Sequence, residues 1–476
     1  MNTFNKKSLF VALASLGALS VTGTADAVYV NPDGTGQVLL YPYYTVRNKV
    51  AGTVAPFNSL LSVVNSTASA KIVKVRFLEG KNSREVLDFN LYLSAKDVWT
   101  TAVIPIGDGA GIITSDNSCT TPAVGRTVAT ATPFVNFAYS GDPAGGSLDR
   151  TTEGYVEVIE MGNIQDDSTT AGYITHDSNG VPDDCEAINN TESQRDIRDP
   201  SGGLFGGITL VNVLAGEDIT ADAVALEQFR TSSFWAIPGS ILPDLTLADP
   251  TWTVFTSAVG GGAVTGTTVS GIDSVSAVLM HHNVLNEFVL DAPTLSQTSW
   301  VVTFPTKRYY YNPAPGQLCG ASQVPCNQVL SLFQRNFVAA GACDDVGVVA
   351  WSREEQRPSS PGGFSPPPPS GAVPALCWEA NVITFNGKNV FGSLNVSNVN
   401  TAYEHGWMDL DLLGGLTNGR HTLGTSSGTF SGLPVIGFAA QTFNNGTLTD
   451  AAGKLIQSQY GGNFVHKYTP GLAPAP

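Results

Sequence analysis

The chain has 476 residues, 24 Lys+Arg against 40 Asp+Glu, and a formal net charge of −16. An acidic surface of this kind repels phosphate backbones, which argues against nucleic-acid binding. Charged residues make up only 13% of the chain against 42% hydrophobic, so it is no acidic disordered tail and has material for several cores.

Residues 1–27 read as a secretory signal peptide: Lys6 and Lys7, an uncharged, mostly apolar run over 8–21, then Ala25, Asp26 and Ala27 as a cleavage site before Val28. No second apolar run reaches transmembrane length, so no transmembrane segment is expected after cleavage. The expected location is extracellular or at the cell surface, with the periplasm as the alternative. Export makes disulfides the simplest use of the six cysteines. Sequence alone leaves many pairings open. Pairing neighbours gives Cys119–Cys185, Cys319–Cys326 and Cys343–Cys377, each closing a loop with little of its own to pack.

Glycine (50) and proline (28) stand among many Val, Thr, Ser and Asn residues, a mixture that suits short strands and turns. A first unit is expected over 28–107. Residues 60–65 read as a strand and 65–69 as a turn. In 71–78, Val73, Val75 and Phe77 alternate with Lys74 and Arg76, which predicts one apolar and one wet face. Phe89, Leu91 and Leu93 alternate again, and 99–104 completes the set. Strands at this spacing suggest an immunoglobulin-like sandwich.

The words LSVVNST (61–67) and VKVRFLEGKNSREVLDFNL (73–91), with WVVTFPTKRY (300–309) and LPVIGF (433–438), resemble a family of exported proteobacterial proteins known as hypothetical or cell-surface proteins. The resemblance implies export and a β-rich fold. It brings no catalytic residues with it.

A second β-rich region with a disulfide-tied insertion is expected over 108–308. Residues 154–160 and 208–214 read as strands. Ile219, Ala223, Leu226 and Phe229 fall at helical spacing and predict a short helix. Residues 275–290 are apolar and fit helix or strand, and 299–304 is a strand halted by Pro305. The C-terminal β-rich region covers 309–476, with strands at 346–351, 380–385 and 435–438. A Pro-rich loop spans 359–374, with four consecutive prolines from Pro366. Trp407, Asp409 and Asp411 alternate with Met408, Leu410 and Leu412. The whole reads as all-β: tandem immunoglobulin-like antiparallel β-sandwiches with long disulfide-tied loops and one or two short helices.

Candidate chemistry is sparse. Gly424, Ser426 and Gly428 match G-x-S-x-G, but their flanks lack the strand and helix that expose a nucleophile, so a turn is expected. His281 and His282 are adjacent, and neighbours on a strand point to opposite faces, which disfavours a shared metal. His176, His405, His421 and His466 stand alone in sequence. The string 176–185 resembles one degenerate thrombospondin type-3 calcium repeat. Asp177, Asn179, Asp183 and Asp184 supply hard oxygens there and Gly180 a turn, but Ca²⁺ takes about six to eight oxygens, so a solvated turn competes with a calcium site. Lys307, Arg308, Tyr309, Tyr310 and Tyr311 mix cations with aromatics, a combination that stacks on sugars or on a partner surface, but they directly follow a strand, so cross-strand packing competes with a ligand role. The pairs Asp344, Asp345 and Glu354, Glu355 show no enclosed site that would raise one carboxyl.

These features predict a non-enzymatic exported β-sandwich protein of the cell surface or extracellular matrix, with a protein or glycan partner and a structural or binding role. No cofactor is expected, calcium being the one candidate. The alternative is an exported hydrolase, glycan-active, with a carboxylate pair that sequence does not reveal.

Overall fold

The computed structural model describes residues 27–48, 56–188, 194–255, 262–310, 337–356, 374–414 and 421–472, with short pieces at 318–319, 324–325, 332–333, 335 and 364–365. The expected signal peptide apart from Ala27 therefore lies outside the described residues, as does the Pro-rich loop apart from Phe364, Ser365 and Pro374.

The alternation at 71–78 produces the strand Ala70–Glu79, second in length in its sheet only to Glu153–Ile164, with which it pairs. The eight-stranded sheet runs Tyr29–Val30, Val224–Glu227, Val38–Thr45, Glu153–Ile164, Ala70–Glu79, Glu85–Leu93 and Thr120–Thr121, with Ile197–Arg198 attached to Glu153–Ile164. A seven-stranded sheet runs Glu217–Asp222, Gly207–Asn212, Asn58–Asn65, Val98–Ile106, Gly109–Ile113 and Thr132–Pro133, with Leu204–Phe205 attached to Asn58–Asn65. Val73, Val75, Phe77, Phe89, Leu91 and Trp99 fill the core between them. Both sheets take strands from either side of residue 107, so the stretch 28–107 does not close a sandwich by itself.

Among the described residues the rest of the chain builds two further large sheets, of five and six strands, beside four two-stranded ones. One carries Gly347–Ser352, His405–Asp411, Met280–Val289 and Leu433–Pro434, with Lys467–Pro470 also on Met280–Val289. The other carries Phe364–Ser365, Val396–Val399, Ala380–Phe385, Gln297–Thr303, Ile436–Thr449 and Leu455–Val465. Val284, Phe288, Trp300, Ile383, Phe385, Met408 and Leu410 pack in a common core. Val301, Val382 and Phe438 reach instead into the first core, which ties the two halves together. The fold is all-β and sandwich-like, with almost every pairing antiparallel and Ala380–Phe385 to Val396–Val399 parallel.

Two expectations are corrected. The face of Lys74 and Arg76 is not wet. Both side chains are buried, because the segment after residue 228 and the turn at 304–309 lie over that face. Asn90 donates to the Ala236 carbonyl, the Gly239 amide to Asp88, and Arg308 to the Ser83 carbonyl. Each buried cation has an acid: Lys71 with Glu160 at 2.6 Å, Lys74 with Asp88, Arg76 with Glu157 at 2.5 Å and Glu85 at 2.7 Å.

The helix at 219–229 does not form. Glu217–Asp222 and Val224–Glu227 are strands of different sheets, and the chain changes sheet at Ala223. Strict in–out burial from Glu217 to Asp222 shows that the two-residue period governs; the helical spacing arose by joining inward residues of separate elements.

The ambiguous stretch 275–290 resolves into both states. Ser270 caps the helix Gly271–Leu279, accepting from the Asp273 amide, and the strand Met280–Val289 follows directly. Disulfides join Cys119 to Cys185 and Cys343 to Cys377, while the Cys319–Cys326 link falls outside the described side chains.

Candidate functional site

The five-stranded sheet turns one face to solvent, and register decides what stands on it. Along His405–Asp411, Met408 and Leu410 point into the core, so His405, Trp407, Asp409 and Asp411 point out. Trp351 lies directly opposite Trp407 on one neighbouring strand and Glu287 opposite it on the other. Val349 and Leu285 flank Asp409 in the same way.

The two indoles stack at 4.1 Å between ring centroids with planes 11° apart, and Trp407 is 41% exposed. Gly406 permits this close approach: a Cβ there would lie 2.0 Å from the Trp351 carbonyl oxygen and 2.7 Å from the Phe288 ring. Beneath the pair, the indole N–H of buried Trp300 donates to the Glu287 carbonyl and fixes the central strand. The result is an aromatic platform edged by Glu287, Asp409 and Asp411. Partial burial, with the nearby Asp411 charge, raises the Asp409 carboxyl above its usual range. At the end of the same face, one oxygen or nitrogen each from Asp291, Glu404 and His405 lie within 4.8 Å of one another.

Two other concavities occur. A groove of about 650 Å³ crosses the solvent face of the seven-stranded sheet, lined among others by Leu60, Thr100, Arg126, Phe205, Thr209 and Asp222. A cavity of about 330 Å³ is lined by Val254, Phe255, Val278, Met280, His281 and Tyr468 with other apolar groups. Burial holds His281 down to about 3, so its imidazole is neutral there, stacked on Tyr468.

The residues singled out in the sequence fare differently. Lys307 is buried, pairs with Asp344 at 2.9 Å and donates to the Leu376 carbonyl. Tyr309 and Tyr310 are buried, and the Tyr310 hydroxyl donates to Asp273 at 2.8 Å. With Arg308 donating to Ser83, these residues pack beside Phe304 and Phe333, the arrangement the packing reading expects; Tyr311 lies outside the described residues.

In the acidic string, Asp177 accepts from the amides of Asn179 and Val181, and Asp184 from those of Glu186 and Ala187, the bonding of solvated turns. Asp177, Asp183 and Asp184 are not brought into a common cage with a third acid or histidine among the described residues. Ser426 and Ser427 form the tip of the hairpin Thr422–Thr425 and Gly428–Ser431, as the turn reading expects, with no nucleophile elbow.

Trp351 and the grouping of Asp291 with Glu404 and His405 escaped the sequence. The one legible trace was the alternation of Trp407, Asp409 and Asp411. No family model, curated protein or solved structure matches the chain.

Proposed function

We propose that this is an exported, non-enzymatic protein of the cell surface or extracellular matrix, whose tryptophan face binds neutral glycan chains. The stacked pair of half-buried Trp351 and exposed Trp407 carries this reading. A pyranose ring presents an apolar face that packs on an indole, and its hydroxyls find acceptors in Glu287, Asp409 and Asp411 at the edge. Those carboxylates, on a chain of net charge −16, disfavour uronic or sulfated polymers, so the partner is neutral. The face is open. Hydrolysis of a glycoside needs two carboxyls flanking the bond; Asp409 is raised by partial burial, but it stands with Glu287 and Asp411 on one sheet face rather than across a cleft from them.

The two disulfides suit an oxidising, exported setting, and no helix among the described residues is long and apolar enough to cross a membrane. The likeness of 61–91 to exported proteobacterial proteins accords with this reading. Affinity electrophoresis against soluble neutral and anionic polysaccharides tests it. Retardation by a neutral polymer, at least tenfold weaker in Trp407→Ala, is expected. No retardation by any polymer, an unchanged Trp407→Ala, or release of new reducing ends from a bound polymer would overturn it.

A further inference from the structure

We propose that Asp291, Glu404 and His405 form a binding site for one divalent transition-metal cation of the zinc class. The site is assembled by sheet register. His405 opens its strand opposite Val289, the Leu290 amide donates to the Glu404 carbonyl at 2.6 Å, and Asp291 follows where the partner strand ends. Two carboxylates and an imidazole from distant parts of the chain thus meet at one corner.

The orientation of Asp291 is fixed from behind. Its Oδ2 accepts from the Thr294 amide at 3.2 Å and the Thr294 hydroxyl at 2.9 Å. This leaves Oδ1 directed at His405, the kind of supporting contact that aligns metal-ligating carboxylates. Oδ1 and the His405 Nε2 stand 3.7 Å apart, beyond hydrogen-bond reach. Two ligands of one tetrahedral zinc, bonded at about 2.0–2.2 Å, sit roughly 3.4 Å apart, so the observed gap needs a closure of only a few tenths of an ångström.

The competing cation is Arg353, whose Nε donates to Glu354 at 2.5 Å while its charge also acts on Glu404 and Asp291, so a bound dication has to displace that interaction. Two carboxylates and an imidazole nitrogen suit a dication. The nitrogen donor selects zinc over calcium or magnesium, which take oxygen. Glu404 is exposed and the other two half-buried, so a fourth position stays open to water or to a donor from outside. This inference does not rest on the glycan reading.

Calorimetric titration of the secreted protein with Zn²⁺, Ca²⁺ and Mg²⁺, beside thermal unfolding with and without Zn²⁺, tests it. One Zn²⁺ is expected per chain, bound at least a hundredfold more tightly than Ca²⁺. Affinity should fall at least tenfold in His405→Ala and in Asp291→Asn, and the Zn²⁺-dependent rise in midpoint should vanish in both. His176→Ala, which alters the other half-exposed histidine beside an acid, Asp97, should leave binding unchanged. Circular dichroism confirms that each variant is folded, and Glu404→Gln gives a milder loss should either of the others not fold. Wild-type affinity in folded His405→Ala, equal Ca²⁺ and Zn²⁺ affinity, or no Zn²⁺ binding by the wild type would overturn it.

Discussion

Arg76 and Glu157 face each other in register across adjacent strands of the eight-stranded sheet, and their side chains meet at 2.5 Å out of reach of solvent. Removing one partner of such a pair leaves an uncompensated charge in the interior, which costs about 3–5 kcal/mol, whereas replacing both by apolar groups recovers most of the loss. In urea unfolding, Glu157→Leu and Arg76→Met should each lower stability by that amount. The double variant should recover most of it, with a residual deficit because Glu85 also loses Arg76. Equal losses in single and double variants would show that packing, not charge, holds the layers.

His466 makes the protein sensitive to mild acid. The Asn286 amide donates to its Nδ1 at 3.0 Å, and its Nε2–H donates to the Val301 carbonyl at 3.0 Å, so the fold binds the neutral tautomer. Burial lowers the group to about 4 from an ordinary 6.5. Between those values the unfolded chain binds more protons than the native one, so the stabilisation is whole above pH 6.5 and is lost as pH falls toward 4. The slope is about 1.4 kcal/mol per pH unit, hence about 2 kcal/mol between pH 6.5 and 5. The wild-type curve also carries His281 in the same direction and Glu157 and Glu227, raised to about 7 by burial, in the opposite one, so the test is the difference: between pH 6.5 and 5 the wild type should lose about 2 kcal/mol more than His466→Gln.

The bond Cys119–Cys185 joins residues 66 apart. Closing a loop of that length restricts the unfolded chain by about 4 kcal/mol in the chain-entropy account. A Cys119→Ser/Cys185→Ser variant should lose stability of this order, and peptide mapping without reductant should recover the 119–185 and 343–377 links. Free thiols at these positions in protein purified without reductant would contradict the fold described.

Much of the strand pattern was legible because a two-residue rhythm is local: Val73, Val75 and Phe77 announce their sheet whatever surrounds them. The fate of the opposite face was not. Whether Lys74 and Arg76 meet water depends on a segment more than 150 residues later that folds over them, and no local period encodes that cover. The same limit explains the inward turn of Lys307 and Tyr310, whose composition suits a surface as well as an interior. Trp407 showed itself as an outward residue, but its stack with Trp351 exists only through the pairing of two strands. The Asp291–Glu404–His405 corner likewise depends on where one strand ends against another.

The tryptophan face separates binding from stability. Trp300 is wholly buried beneath it, so Trp300→Ala removes a core aromatic and should cost about 3–5 kcal/mol. Trp407→Ala removes a ring that is 41% exposed and leaves no cavity inside, so it should cost less than Trp300→Ala, about 1–2 kcal/mol with the lost indole stack, while weakening retention on neutral polysaccharide at least tenfold. Gly406→Ala should do the reverse of a simple contact deletion: both indoles remain, but the new Cβ drives the strand away from the Trp351 carbonyl, so the exciton coupling of the stacked rings in circular dichroism should fade together with binding. Retained binding in Gly406→Ala with the coupling lost would mean that a single indole suffices and that the stack serves the sheet rather than the ligand.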